Sequence, residues 1–89
     1  MAIHGTIKSI VRSTDGAAMT GKGFLYGITV SGAAGAVVIE DNASVAGSRI
    51  IMEANGMGHY FLPVPIPVSI GIAVNLTSNI VTTYYAEAP

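Results

Sequence analysis

The chain has 89 residues, of which 51% are hydrophobic and only 10% are charged, and its formal net charge is −1. This length fits one domain, four Lys and Arg residues are too few for a nucleic-acid-binding surface, and the lack of cysteine excludes disulfides and thiolate metal sites. Because an average soluble domain has about 25% charged residues, we predict that much of the surface is buried against other chains. The apolar runs are too short for a membrane span, and the first residues lack a secretory signal pattern, so we expect no Sec export.

The first third of the chain predicts two strands separated by a loop. Residues 6–12 alternate in side-chain character, and the charges of Lys8 and Arg12 are typical of a strand at a sheet edge. Residues 13–22 are polar and contain glycine, which indicates a loop. Residues 23–31 alternate again and predict a strand. The apolar face of this strand is predicted to comprise Phe24, Tyr26, Ile28 and Val30.

The middle of the chain predicts a hairpin, a turn and a further strand. Residues 32–35, Gly-Ala-Ala-Gly, are expected to close a hairpin into a strand at residues 36–40. Residues 41–44, Asp-Asn-Ala-Ser, have side chains that bond to their own backbone in turns. Residues 49–54 predict the next strand, and residues 55–58, Asn-Gly-Met-Gly, predict another turn.

The next extended segment is predicted at residues 59–64, and three alternating prolines begin near its end. Pro63, Pro65 and Pro67 each lack the amide hydrogen that a central strand donates to its neighbour. They therefore predict either a sheet edge or a rigid, polyproline-like crossing between two sheets.

The clearest strand pattern is at residues 66–87, where two β-rich runs flank the polar residues 77–79. Both runs have a period of two, which is typical of half-buried antiparallel strands and predicts a closing hairpin. One face of the first run comprises Ile70, Ile72, Val74 and Leu76. We expect this face, and Val74 in particular, to lie in the core.

Seven or eight short strands are predicted in all, and no segment has a sustained helical period. The expected fold is all-β: a small antiparallel β-sandwich or jelly roll with almost no helix. We expect residues 1–89 to form one β-sandwich domain with a short N-terminal arm at about residues 1–5.

No combination of residues predicts a reaction or a metal site. His4 and His59 are the only histidines, and the carboxylates lack ligand spacing relative to them. Residues 40–42, Glu-Asp-Asn, could contact calcium, but they lack the loop pattern of oxygen-ligand sites, which favours a turn. Tyr26 and the pair Tyr84 and Tyr85 could stack on sugars, although adjacent strand tyrosines more often pack one ring inward and one at a rim or interface.

Six strand motifs stand out along the chain. They are Gly-Ile-Thr-Val-Ser at 27–31, Gly-Ala-Val-Val-Ile-Glu-Asp-Asn-Ala-Ser at 35–44, Gly-Ser-Arg-Ile-Ile at 47–51, Pro-Val-Pro-Ile-Pro at 63–67, Gly-Ile-Ala-Val-Asn-Leu at 71–76, and Val-Thr-Thr-Tyr-Tyr-Ala-Glu at 81–87. In this order they resemble the small β-sandwich virion proteins of tailed bacteriophages, of the capsid decoration or cement type. The chain departs from that pattern at residues 38–40, where family members often have Leu-Tyr, and in the proline run.

The resemblance implies a structural protein that binds the major capsid protein of an assembled capsid and stabilises the shell. It implies a homotrimer or homodimer, made in the host cytoplasm and located at the capsid surface of the virion. It implies no enzyme activity, no cofactor, and no nucleic-acid or membrane contact. The alternative is a receptor- or carbohydrate-binding module of a head or tail fibre, with its exposed aromatic side chains on an open loop tip.

Two segments are the best candidates for the interface. An N-terminal arm can order on binding, and a proline-rich crossing loses little conformational entropy on docking. The candidate interface residues are Ile3, His4, Pro63, Pro65, Pro67 and Tyr85.

Overall fold

The computed structural model describes residues 6–88, which form eight strands and no helix. The strands are β1 (Lys8–Arg12), β2 (Gly16–Thr20), β3 (Gly23–Ser31), β4 (Ala36–Glu40), β5 (Ile50–Asn55), β6 (Gly58–Val68), β7 (Gly71–Asn75) and β8 (Ile80–Glu87). The predicted all-β fold is therefore confirmed. Residues 6–88 contain no helix with the length and apolar character needed to cross a membrane. The predicted N-terminal arm lies outside the described residues.

The strands form two antiparallel sheets, each of four strands. The front sheet has the order β1-β8-β3-β6, and the back sheet has the order β2-β7-β4-β5. Successive strands alternate between the sheets, except that β4 and β5 pair directly. The pairs β1–β8, β2–β7, β3–β6 and β4–β5 are those of an antiparallel ribbon rolled into two layers. This order is a jelly roll, one of the two architectures that the sequence predicts.

Two predicted hairpins are wrong, because the strands that they join lie in different sheets. β7 belongs to the back sheet and β8 to the front sheet, so residues 76–79 cross between the layers. Residues 32–35 likewise cross from β3 to β4. The buried Asn79 joins both crossings: its Oδ1 accepts from the amide of Thr77 at 3.1 Å, and its Nδ2 donates to the carbonyl of Gly35 at 3.2 Å.

The prediction from sequence also misses one strand, β2, and sets the boundary between β6 and β7 incorrectly. Residues 13–22 were predicted as loop but contain β2, whose Gly-Ala-Ala-Met-Thr sequence has weak β propensity. Burial of Ala18 and Met19 in the core outweighs that weakness. The run predicted to begin at residue 66 is the end of β6, and β7 begins only at Gly71.

The core lies between the sheets, and Val74 is fully buried there as predicted. The predicted face of β3 is partly wrong, because a register shift lies between Leu25 and Gly27. A bulge of this kind moves the residues on one side of it to the opposite face. Leu25 therefore joins Ile28 and Val30 in the core, whereas Phe24 and Tyr26 do not. Ile70, predicted for the core, lies in the β6–β7 connection and is 40% exposed.

Candidate interaction surface

The three alternating prolines lie on β6, which is an edge strand of the front sheet and pairs only with β3. Of the two predicted alternatives, the sheet edge is therefore confirmed. Pairing with β3 is interrupted at this point: Phe61 pairs with Gly27 and Ile66 with Leu25, so residues 62–65 stand opposite Tyr26 alone. Within this segment Val64 is 72% exposed. Because proline has no amide hydrogen, the edge resists the addition of another strand.

The remaining predicted interface residues have different settings. Tyr85 is half-buried and packs against the core, so it offers less free surface than the prediction assumed. The neighbouring Tyr84 contacts Phe61 on the outer face of the front sheet. The inward packing of one tyrosine is confirmed, and an interface role for the other stays a prediction. Ile3 and His4 lie outside the described residues.

An aromatic cluster that the sequence did not predict lies on the outer face of the front sheet. It comprises His59, Phe61 and Tyr84. The rings of His59 and Phe61 are stacked, with centroids 5.8 Å apart and planes 8° apart. The Phe61 and Tyr84 rings are tilted by 54°, with centroids 5.3 Å apart. The Thr29 hydroxyl links the polar atoms of the cluster, at 2.9 Å from His59 Nδ1 and 3.3 Å from the Tyr84 hydroxyl.

Strand register explains why these rings meet. Tyr84 on β8 and Phe61 on β6 are both partners of Gly27 on the intervening strand β3. Side chains of directly opposed residues point to the same face of a sheet. Because Gly27 has no side chain, the two rings can close over it. A Cβ at Gly27 would lie 2.9 Å from the Phe61 Cα and 2.6 Å from the Tyr60 carbonyl oxygen, which leaves no room for one.

The cluster is part of a wider surface that has no charged side chain, which we call the front face. Cross-strand partners place on it Ser9, Val11, Thr29, Ser31, His59, Phe61, Ile80, Thr82 and Tyr84. Its apolar side chains are well exposed: Val11 is 62% exposed and Phe61 59%. The chain's charged residues lie elsewhere: Lys8, Arg12 and Glu87 are on strands of the front sheet but at positions that alternate with those of the front face, and the other six are in loops or on the back sheet. The front face is thus an uncharged, partly aromatic surface.

On the outer face of the back sheet, in contrast, residues 41–49 of the same chain cover the end at Glu40, and the exposed Glu53 lies farther along this face. This loop returns to Glu40, whose carboxylate accepts from the amides of Ala46 at 2.9 Å and Gly47 at 3.1 Å and from Asn42 Nδ2 at 3.0 Å. The hydrogen bond from the Ala46 amide, with the others, lowers the pKa of Glu40 in spite of its burial. The Glu40 carboxylate therefore anchors a loop instead of facing solvent.

Asp41 anchors the connection between β6 and β7. Its carboxylate accepts from the amides of Ser69 at 3.0 Å, Ile70 at 2.9 Å and Gly71 at 3.2 Å. It also forms a 3.0 Å ion pair with Arg49. Burial raises the pKa of Asp41, but these hydrogen bonds outweigh burial, so the pKa is lowered overall. Residues 41–44 do bend away from β4, as the turn prediction requires, but the Asp41 side chain bonds to this distant segment and not to its own backbone.

The carboxylates of residues 40 and 41 are poorly suited to a cation. Amide and guanidinium donors occupy the oxygen atoms that a metal ion would need. Within residues 6–88, no group of three or more His, Cys, Asp or Glu side chains is placed to hold a metal ion.

Comparisons of the chain with protein-family models, with curated proteins and with solved structures give no match. The residues and geometry described above are therefore the basis of the functional argument.

Proposed function

We propose that this protein is a structural component of a tailed-bacteriophage virion, which binds the assembled capsid as a decoration or cement protein and stabilises it. The observation that carries this proposal is the β6 edge, where Phe61 is 59% and Val64 72% exposed. Large apolar side chains exposed together on one edge of a small domain are typical of a site of protein contact. The order of strand motifs, which resembles decoration proteins, supplies the type of partner.

The small number of ion pairs supports an attachment to the capsid that depends on apolar contact. Residues 6–88 contain two ion pairs; Lys8 with Glu87 is exposed, and Arg49 with Asp41 is internal to a loop. Exposed ion pairs contribute at most about 1 kcal/mol each, whereas apolar burial contributes about 25 cal/mol per Å² before ordering costs. Many copies on a repeating lattice would add multivalent contact.

In this proposal the major capsid protein contacts the β6 edge and the N-terminal arm. Pro63, Val64 and Pro65 form a rigid and largely exposed segment of the edge, because pairing with β3 is interrupted there and the prolines restrict the backbone. Such a segment loses little entropy when it docks. The front face is then available for contact with further copies of the chain.

A receptor- or carbohydrate-binding module is the second candidate, and the aromatic cluster favours it. Phe61 and Tyr84 could stack on a sugar ring. However, the front face has no carboxylate, amide or guanidinium group to bond sugar hydroxyls, and the cluster lies on a broad sheet face instead of a loop tip. Jelly rolls serve in both viral capsid and lectin domains, so the fold favours neither function.

The test is cosedimentation of the purified protein with assembled capsids that lack it. We expect saturable binding that persists at about 1 M salt, where the screening length falls to roughly 3 Å. Deletion of residues 2–5 should weaken binding without changing the melting temperature. Protein that remains in the supernatant at every salt concentration would refute capsid attachment. Release by salt alone would refute the apolar mechanism, and full binding after the deletion would refute the role of the arm.

A further inference from the structure

We propose that two copies of the chain associate by packing front face against front face. This proposal rests on the self-association in the proposed function, and it names the surface and the partner of that self-association. The front face is the wide outer surface of β1, β8, β3 and β6, with the aromatic cluster towards the β6 side.

The charge distribution is compatible with a second copy. In a symmetric dimer each surface meets an identical surface, so any charge on it faces the same set of charges. The front face carries none, so its burial against itself brings no unpaired ionic group out of water. A symmetric contact through the sheet edges would instead take charged residues such as Lys8 and Glu53 out of water.

The size of the face also fits a dimer. The molecule measures 38 by 24 by 18 Å along its principal axes, and the shortest axis accommodates two stacked sheets. The front face therefore lies within an outline of 38 by 24 Å, or at most about 900 Å². A specific protein interface buries about 800 Å² on each partner. A contact that covers this outline, loops at its margins included, would reach the range of a stable dimer.

The sheet edges favour packing of faces over extension of the sheet. β1 carries Lys8 and Arg12, and β6 carries three prolines and an interrupted ladder. Both features hinder the pairing of another strand. On the back sheet, residues 41–49 cover the Glu40 end of the outer face, and the exposed Glu53 lies on that same face. Of the two broad sheet surfaces of residues 6–88, the front face is the one without a charged side chain.

Sedimentation velocity at micromolar concentrations tests the proposal. The wild-type chain should have twice its 9.1 kDa mass. Phe61→Glu and Val11→Glu should each weaken association at least about tenfold, because each would bury a carboxylate in the interface. Met57→Glu is the matched control: Met57 is 60% exposed but lies in the β5–β6 turn, so this variant should remain a dimer. Thermal melting establishes that each variant is folded.

A second measurement keeps the inference testable if a charged variant fails to fold. The chain has no tryptophan, so Phe61→Trp introduces a single reporter. Its emission should shift to longer wavelength on dilution, and that of Met57→Trp should not. A wild-type chain that stays monomeric, a dimer unaffected by both face variants, or a dimer with unchanged Phe61→Trp emission would overturn the inference. Each of these outcomes is independent of whether the protein binds capsids.

Discussion

Tyr84 packs against Phe61 across Gly27, with ring centroids 5.3 Å apart although the two residues lie on strands that are not paired with each other. The contact exists because β3 runs between β8 and β6 and has no side chain at this position. Gly27 thus controls both the packing of the front sheet and the continuity of its outer face.

Gly27→Ala should lower the free energy of unfolding by about 1–3 kcal/mol, because backbone atoms of Tyr60 and Phe61 would have to move to admit a methyl group. Urea unfolding measures the change. Ser31→Ala, an exposed position at the end of the same strand, is the control and should be nearly neutral. Equal stability of both variants would show that β3 and β6 are not in the described register.

Val74→Asp should prevent folding, since a buried unpaired carboxylate costs several kcal/mol, comparable with the stability of a small domain. Ile70→Asp is a matched control from the same alternating set in the sequence. Ile70 is 40% exposed, so that variant should fold. Circular dichroism and melting distinguish the two. A folded Val74→Asp variant with unchanged melting would contradict the placement of β7 in the core.

Acid should unfold the protein through Glu40 and Asp41. Their pKa values in the folded chain lie below the ordinary values of 4.5 and 3.8. The unfolded chain therefore binds more protons in this range, and stability falls as pH drops from about 4.5 through the folded pKa values. Urea unfolding at successive pH values measures the slope. Asp41→Asn should reduce both the free energy of unfolding at neutral pH and its dependence on pH below about 4.5. A variant with the wild-type pH dependence would exclude Asp41 as a cause of acid unfolding.

Thr83→Val should raise the free energy of unfolding by about 1 kcal/mol. The Thr83 hydroxyl is fully buried between the sheets and has no hydrogen-bond partner among residues 6–88, so the isosteric methyl group removes a desolvation cost. Thr82→Val, one residue away on the front face, lacks this gain and serves as the control. Lower stability of Thr83→Val would indicate that the hydroxyl has a partner in solution.

Much of the strand content was predictable from the sequence, but the neighbours of the strands were not. The bounds of β3, β4 and β8 agree with the prediction, because alternation and turn residues are local signals. The sheet to which a strand belongs depends on the path of the whole ribbon. For this reason the breaks at residues 32–35 and 77–79 suggested hairpins, although both are crossings.

The candidate surface was less predictable than the fold. The prolines of β6 signalled an edge, because the missing amide hydrogen is a property of the residue itself. The aromatic cluster depends on the pairing of three strands distant in sequence and on the bulge at Tyr26, neither of which leaves a periodic signal. The sequence signal that could have indicated it was Gly27 in the middle of a predicted strand, since a glycine there often marks the close approach of another part of the chain.

The most direct test of the account is the number of copies of this protein in purified virions, measured by quantitative mass spectrometry relative to the major capsid protein. A decoration protein held on a repeating lattice should be present in a fixed proportion to the capsid subunits, at hundreds of copies per particle as an order of magnitude. Its absence from virions, or its presence in only a few copies, would contradict the proposed role as a capsid decoration protein.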